Sequence, residues 1–370
     1  MKKESLAGNR NWWHWSAAVG LVRMPPAMAA LALAFAGVHV TGSYGIGAAL
    51  AACYALGEAV SAPWRGRSVD NCAPRTGIAR MTWALLGSAA TLSTLAWAVW
   101  GRWPVAWLFA LTAVAAILPS GLPGGFRAML TGLLDPVRLR IAFRWDAAIL
   151  EAEWFLAPLA VSAVLLAGTP ALALAAMAGC ALAGAATTRR LAVVTPENGP
   201  PPAALSPGID AARRAWRSPA AWPTYLNLGL AEGVLIAVLP ALLLSLGTSS
   251  TITGVFAVAS SAGSFPGGVL LAALMNRLVG QSSIQADIAL VLMGLFLFPA
   301  IALSSAPWLV GPAGSRGLFI APVNALRSQA LERALPMDSC SEGFSIQYAA
   351  HGLGVALGSF LVAILVSTNP

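Results

Sequence analysis

The sequence predicts an all-helical protein that crosses a membrane many times. Three observations carry that prediction: the composition, a series of apolar runs of bilayer length, and a one-sided distribution of arginine. Of 370 residues, 58% are hydrophobic and only 10% charged, with mean hydropathy +0.74. A soluble domain carries about 25% charged and about 45–50% apolar residues. The composition therefore excludes an ordinary cytosolic enzyme, and its hydrophobicity excludes a disordered chain.

A membrane-spanning helix needs about 20 apolar residues. Eleven runs come close to that length: 19–42, 45–64, 79–101, 104–127, 141–167, 170–188, 220–246, 251–275, 286–305, 308–331 and 343–367. The segment from Met1 to Trp15 is polar, basic and rich in tryptophan. The first apolar run starts too late and runs too long for a cleaved signal peptide, so it is expected to stay as a span.

Arginine sets the orientation. Connections on one side hold Arg65, Arg67, Arg75, Arg80, Arg138, Arg140, Arg189, Arg190, Arg213, Arg214, Arg217, Arg277 and Arg333, and Lys2, Lys3 and Arg10 precede the first span on that same side. Arg23, Arg127, Arg144 and Arg327 sit near helix ends on that side, and only Arg102 and Arg316 fall elsewhere. Positive loops stay inside, so the N-terminus is expected in the cytoplasm of a bacterial cell, with the chain multi-pass in its plasma membrane. The net charge of +8 is accounted for in this way, and nucleic acid is not an expected partner. Trp97, Trp100, Trp103 and Trp107 crowd one outer connection, while Trp12, Trp13, Trp15, Trp64, Trp216 and Trp222 fall at the inner face, the pattern of two interfacial belts.

The stretch 189–219 is rich in proline and basic at both ends, which reads as an extended cytoplasmic linker. It divides the chain into 1–188, an N-terminal half of six spans, and 220–370, a C-terminal half of five. Two halves of six joined by a long inner loop form the layout of repeat-built secondary transporters, so the second half is one span short and the twelfth is expected to be absent.

The second span continues as Gly57-Glu58-Ala59-Val60-Ser61-Ala62-Pro63-Trp64-Arg65-Gly66-Arg67-Ser68-Val69-Asp70. This stretch resembles the signature loop between helices two and three of the major facilitator superfamily: Gly, Asp four residues later, then Arg, any residue, Gly and basic residues. Gly66 and Asp70 match. Asn71 stands where the family has Arg, and Ala73 where it has Gly, with Arg75 following. Asp146, Glu151, Phe155 and Pro158 of span five resemble the acidic fifth helix of a bacterial efflux branch. So do Ser261 to Gly268, Gly317 to Pro322, Glu332 to Pro336, and Ser341-Glu342-Gly343-Phe344 at the start of span eleven. The resemblance implies an MFS-like bundle of two pseudo-symmetric halves. It also implies a cytoplasmic gate loop formed by Gly66, Arg67, Asp70 and Arg75, with helices one, four, seven and ten around a central path.

Charges inside a bilayer cost about 2.5–3.5 kcal/mol each on insertion scales, so they persist where they pair or line a wet path. Glu58, Glu151, Glu232 and Arg316 are the candidates for a substrate or proton pathway, with Glu232 and Arg316 expected to pair. Glu151 and Glu153 lie 200° apart on a helix of 100° per residue, so they cannot face one path, and Glu151 fits the family position. Three scattered His and no Cys spacing give neither a metal site nor a catalytic set, so no enzyme activity, cofactor or metal is expected. The expected function is secondary active, proton-coupled efflux of a small organic molecule by a monomer in the lipid bilayer, with the proton gradient as the driving force. Two other readings stand beside it. One is a transport-inactive or truncated relative acting by protein interaction; the other is a membrane-integral enzyme.

Overall fold

A computed structural model describes residues 6–134, 136–191, 221–222, 225, 310–335 and 339–368. Among these, nine α-helices follow a 3-10 turn at Leu6–Gly8. They are α1 (Arg10–Thr41), α2 (Tyr44–Asp70), α3 (Pro74–Trp100), α4 (Val105–Ile117), α5 (Leu122–Leu133), α6 (Pro136–Ala167), α7 (Pro170–Leu191), α8 (Val310–Ala334) and α9 (Cys340–Thr368). Six segments are long and apolar enough to cross a membrane, α4 and α5 together making one of them. Spans eight and nine of the sequence reading lie outside the described residues, as does span seven apart from residues 221, 222 and 225.

Local chemistry sets the helix ends. Asn9 caps α1, its side-chain oxygen accepting from the N–H groups of Asn11 and Trp12. Gly42 ends α1 with φ of 73°, a left-handed conformation that favours glycine, and Ser43 then caps α2. Pro74 opens α3 at its first helical position, where a missing N–H costs nothing.

The fourth span is broken, which the sequence reading treated as one run over 104–127. Pro119 cannot donate within a helix, and α4 ends at Ile117. The Leu122 N–H then bonds the Pro119 carbonyl at 2.9 Å, so the Leu118 carbonyl is left over. Arg65 of α2 takes it up through Nε at 3.2 Å and Nη2 at 2.8 Å. Ser61 donates to the Ser120 hydroxyl at 2.8 Å, and Ser120 in turn donates to the Ile117 carbonyl at 3.0 Å. Side chains of α2 thus satisfy a backbone that apolar surroundings could not.

Contacts divide the chain into two compact units. One holds residues 1–133, 156–219 and 335–349; the other holds 134–155, 220–334 and 350–370. In the first unit α1 packs on α2 and α7, α3 on α4 and α7, and α2 on α4. Their shared core is built from small residues among larger ones: Met28, Ala32, Leu33, Leu50, Leu92, Leu95, Leu108, Ala115, Leu174 and Met177. Small residues let helix backbones approach closely where lipid supplies no hydrophobic drive. Leu166, Trp83, Trp100 and Trp107 are exposed on the outside, as lipid-facing residues are. In the second unit α6 and α8 meet through Ala147, Ala321 and Ala325.

The tryptophan belts need one correction. Trp13, Trp64, Trp97, Trp100 and Trp107 are exposed, but Trp12 and Trp15 are buried, because α1 begins at Arg10 and carries them into the packed interior. Trp15 donates its indole N–H to the Phe126 carbonyl at 2.8 Å and stacks on Trp12.

Candidate functional site: the junction of helices α2, α5 and α9

The first four N–H groups of any helix lack partners inside it. At the start of α9 a residue 271 positions away supplies acceptors for two of them. Asp70, the last residue of α2, accepts from the Ser341 N–H at 3.0 Å through one carboxylate oxygen and from the Glu342 N–H at 2.8 Å through the other. A carboxylate at a helix N-terminus also meets the positive end of the helix dipole. One residue on, the Glu342 carboxylate is ion-paired with Arg67, one turn back on α2. The Glu342 side chain is 2% exposed, while Arg67 at 26% still reaches solvent.

Close backbone approach makes this geometry attainable. A Cβ on Gly66 would stand 2.6 Å from the Ser341 carbonyl oxygen. A Cβ on Gly124 of α5 would stand 2.7 Å from that same oxygen and 2.6 Å from the Ser345 nitrogen. Real Cβ atoms do not approach so closely, so glycine on α2 and α5 is what lets the first turns of α9 seat. Gly121, freed from helix by the Pro119 break, accepts from the Ser345 hydroxyl at 3.4 Å.

Further along α9 the contacts turn cationic and aromatic. Arg127 of α5 is 1% exposed and donates to the Gln347 side-chain oxygen at 3.5 Å. Its guanidinium lies 5.1 Å from the centre of the Tyr348 ring and 5.8 Å from that of Phe344. Arg23 of α1 lies 5.8 Å from the Tyr348 ring as well. Such stacking is worth about 0.5–2 kcal/mol per contact.

The gate-loop residues of the sequence reading thus part company. Gly66, Arg67 and Asp70 converge on α9. Arg75 lies exposed in the first turn of α3, and Arg65 serves the break in span four. Asn71, where the family pattern has Arg, ends α2 with its N–H on the Arg67 carbonyl. Sequence reasoning did not single out Glu342, Ser345, Arg127 or Tyr348 for function. The Ser341-Glu342-Gly343-Phe344 run was the signal for Glu342, and Arg127 was read only as an arginine at a helix end.

The pathway candidates fall in both units. Glu58 is half-buried on α2, one turn beyond the buried Tyr54. In the second unit Asn324 of α8 donates to Glu151 Oε1 at 3.5 Å. Glu151 and Glu153 are both buried, as is Asp146, so α6 is covered on opposite faces over this stretch. Arg316 lies on α8, and Glu232 lies outside the described residues, as does the expected contact between them. Among the described residues no group of three His, Cys, Asp or Glu is arranged to hold a metal ion.

No family model matches the chain, and no curated protein sequence matches it. Solved structures do. A bacterial homologue of the iron transporter ferroportin, in its outward-facing state, superposes with TM-score 0.77 at 15% identity, covering 96% of this chain and 93% of that one. The same homologue with soaked iron gives TM-score 0.75 at 15% identity, over 96% and 92%. The all-helical fold expected from the sequence is therefore the fold found: the chain shares the helical architecture of these solved transporter structures.

Proposed function

We propose that the chain is a secondary active transporter of the plasma membrane, with its N-terminus in the cytoplasm, working by alternating access. The observation that carries this reading is the seating of α9 on α2 and α5. It joins segments far apart in sequence through two hydrogen bonds from backbone N–H groups to the Asp70 carboxylate, one ion pair and glycine-lined contacts. Charge-assisted hydrogen bonds contribute about 1.5–3 kcal/mol each, enough to hold a closed inner end and few enough to be released. The cargo is a small organic molecule moved outward against a proton gradient, with Glu58, Glu151, Glu232 and Arg316 on its path. The fold relatives support transport in general. A transport-inactive, interacting relative and a membrane-integral enzyme remain the competitors.

A second cargo has an observation in its favour. The solved structures that this chain resembles are those of a bacterial homologue of an iron transporter, one of them with soaked iron. Proteoliposome flux separates the cases. The panel contains organic cations, organic anions and Fe²⁺, each with and without a pH gradient. Gradient-dependent flux of an organic compound is expected, with Glu151→Gln lowering it at least tenfold at equal protein level. The swap Glu232→Arg with Arg316→Glu should recover part of what either single reversal loses. Flux of Fe²⁺ alone overturns the organic cargo. No flux of any compound, with folding intact, overturns transport.

A further inference from the structure

A cleft of about 430 Å³ opens on the outer surface of the first unit, beside the inner end of α2. Arg65 and Ser68 of α2, Arg80, Met81 and Trp83 of α3, and Leu118 at the break in span four form its walls. The two arginines are held in place without being neutralised. Arg65 spends Nε and Nη2 on the Leu118 carbonyl, and Arg80 spends Nη1 on the Ser68 carbonyl. Among the described residues neither meets a carboxylate. Each guanidinium has five N–H donors in a planar fork, so both keep donors to offer. The fork matches the oxygens of a phosphate, which it can bind in bidentate fashion.

Apart from Ser68 the rest of the wall is apolar, and Trp83 is 73% exposed. An outward-facing indole beside two arginines is the arrangement found at headgroup depth. Arg65 lies in the last two turns of α2 and Arg80 in the first two turns of α3, so both lie toward one membrane boundary. On the orientation proposed above, that boundary is cytoplasmic. We propose that this cleft binds an anionic phospholipid of the inner leaflet, with Arg65 and Arg80 on its phosphate and an acyl chain along Met81, Trp83 and Leu118. A free phosphate ion would use the arginines but would gain nothing from the apolar wall.

The test uses the full chain purified in detergent, with native mass spectrometry and thermal unfolding in added lipid. Phosphatidylglycerol should bind at least roughly tenfold more tightly than phosphatidylcholine, as two arginines at a surface imply. Arg65→Gln with Arg80→Gln should abolish that preference, while Arg189→Gln at the exposed end of α7 should keep it. Phosphatidylglycerol with brominated chains should quench tryptophan fluorescence in the natural protein and less in Trp83→Phe. Equal binding of the two lipids overturns the proposal, as does a preference that survives the double substitution. Equal stabilisation by inorganic phosphate makes the cleft an ion site and overturns the lipid. If the double variant does not fold, Arg80→Gln alone decides, because that side chain is exposed. Labelling of Arg80→Cys only from the outside overturns the inner-leaflet assignment and the orientation, whatever the lipid preference.

Discussion

Two glycine crossings lie in the first unit, and they differ in what surrounds them. Where α1 meets α2, a Cβ on Gly47 would stand 2.9 Å from the Ala34 carbonyl carbon. That crossing sits beside Leu33 and Ala36 of the apolar core, and the two-residue turn Gly42–Ser43 ties its helices together. Where α9 meets α2 and α5, the glycines face Ser341 and Ser345, and the fastening is Asp70, Arg67 and Glu342. The first crossing cannot open without exposing apolar surface and unfolding a hairpin. The second is fastened by polar contacts that water can replace, beside a smaller apolar seam of Ala59, Ala62 and Ala349. One fold thus uses the same close-packing residue at an apolar joint and at one held largely by polar contacts, and only the second is a candidate for release on the function proposed above.

Substituting the glycines gives the largest expected effects and tests that contrast directly. Overpacking costs about 1–3 kcal/mol. In Gly66→Ala the cost falls on the seated state of α9 alone, and each 1.4 kcal/mol is tenfold in a population. Flux should fall about tenfold or more, and a cysteine at Ser345 should become more reactive, with little change in Tm. In Gly47→Ala the same cost falls on the fold, so Tm should drop while the Ser345 probe stays protected. If both variants lose only Tm, the two joints are alike and the contrast is wrong.

The ion pair comes next. Breaking a fully buried pair costs about 3–5 kcal/mol, and less here because Arg67 reaches solvent. Glu342→Gln and Arg67→Gln should each unseat α9 several-fold, read by the same Ser345 probe. Arg67→Glu with Glu342→Arg should recover part of the loss of either reversal. A double variant as poor as the sum of the singles would mean that the pair does not hold the joint.

The helical fold was legible because apolar length is a local property of the chain; the break at Pro119 was not, since most prolines inside spans only kink a helix. Asp70 and Gly66 were legible as well, through the spacing of the loop. Their partners were not. Nothing in the sequence around Asp70 says that its carboxylate meets a helix terminus 271 residues on, since pairing at that separation is set by packing. Arg65 looked like one more positive loop residue, and its work on the Leu118 carbonyl depends on where Pro119 breaks the helix. Trp12 and Trp15 looked interfacial because helix α1 was expected to begin some nine residues later than it does.

The smallest expected effect separates hydrogen bonding from charge at the end of α9. Asp70→Ala removes both acceptors from the Ser341 and Glu342 N–H groups, a lost cap worth about 1–2 kcal/mol. Asp70→Asn keeps one side-chain oxygen, and asparagine caps helices about as well as aspartate. What it loses is one acceptor and the charge at the dipole end, the charge being worth about 0.3–1 kcal/mol. Part of that loss is returned. Asp70 and Glu342 place two negative charges at one helix terminus against the single guanidinium of Arg67, and neutralising Asp70 relieves their repulsion. The net result should be flux slowed about two- to fivefold at normal membrane levels, against a larger loss in Asp70→Ala. Equal flux in Asp70→Asn and the natural protein would leave the hydrogen bond as the fastening and the charge idle. Equal flux in Asp70→Ala would remove Asp70 from the joint altogether.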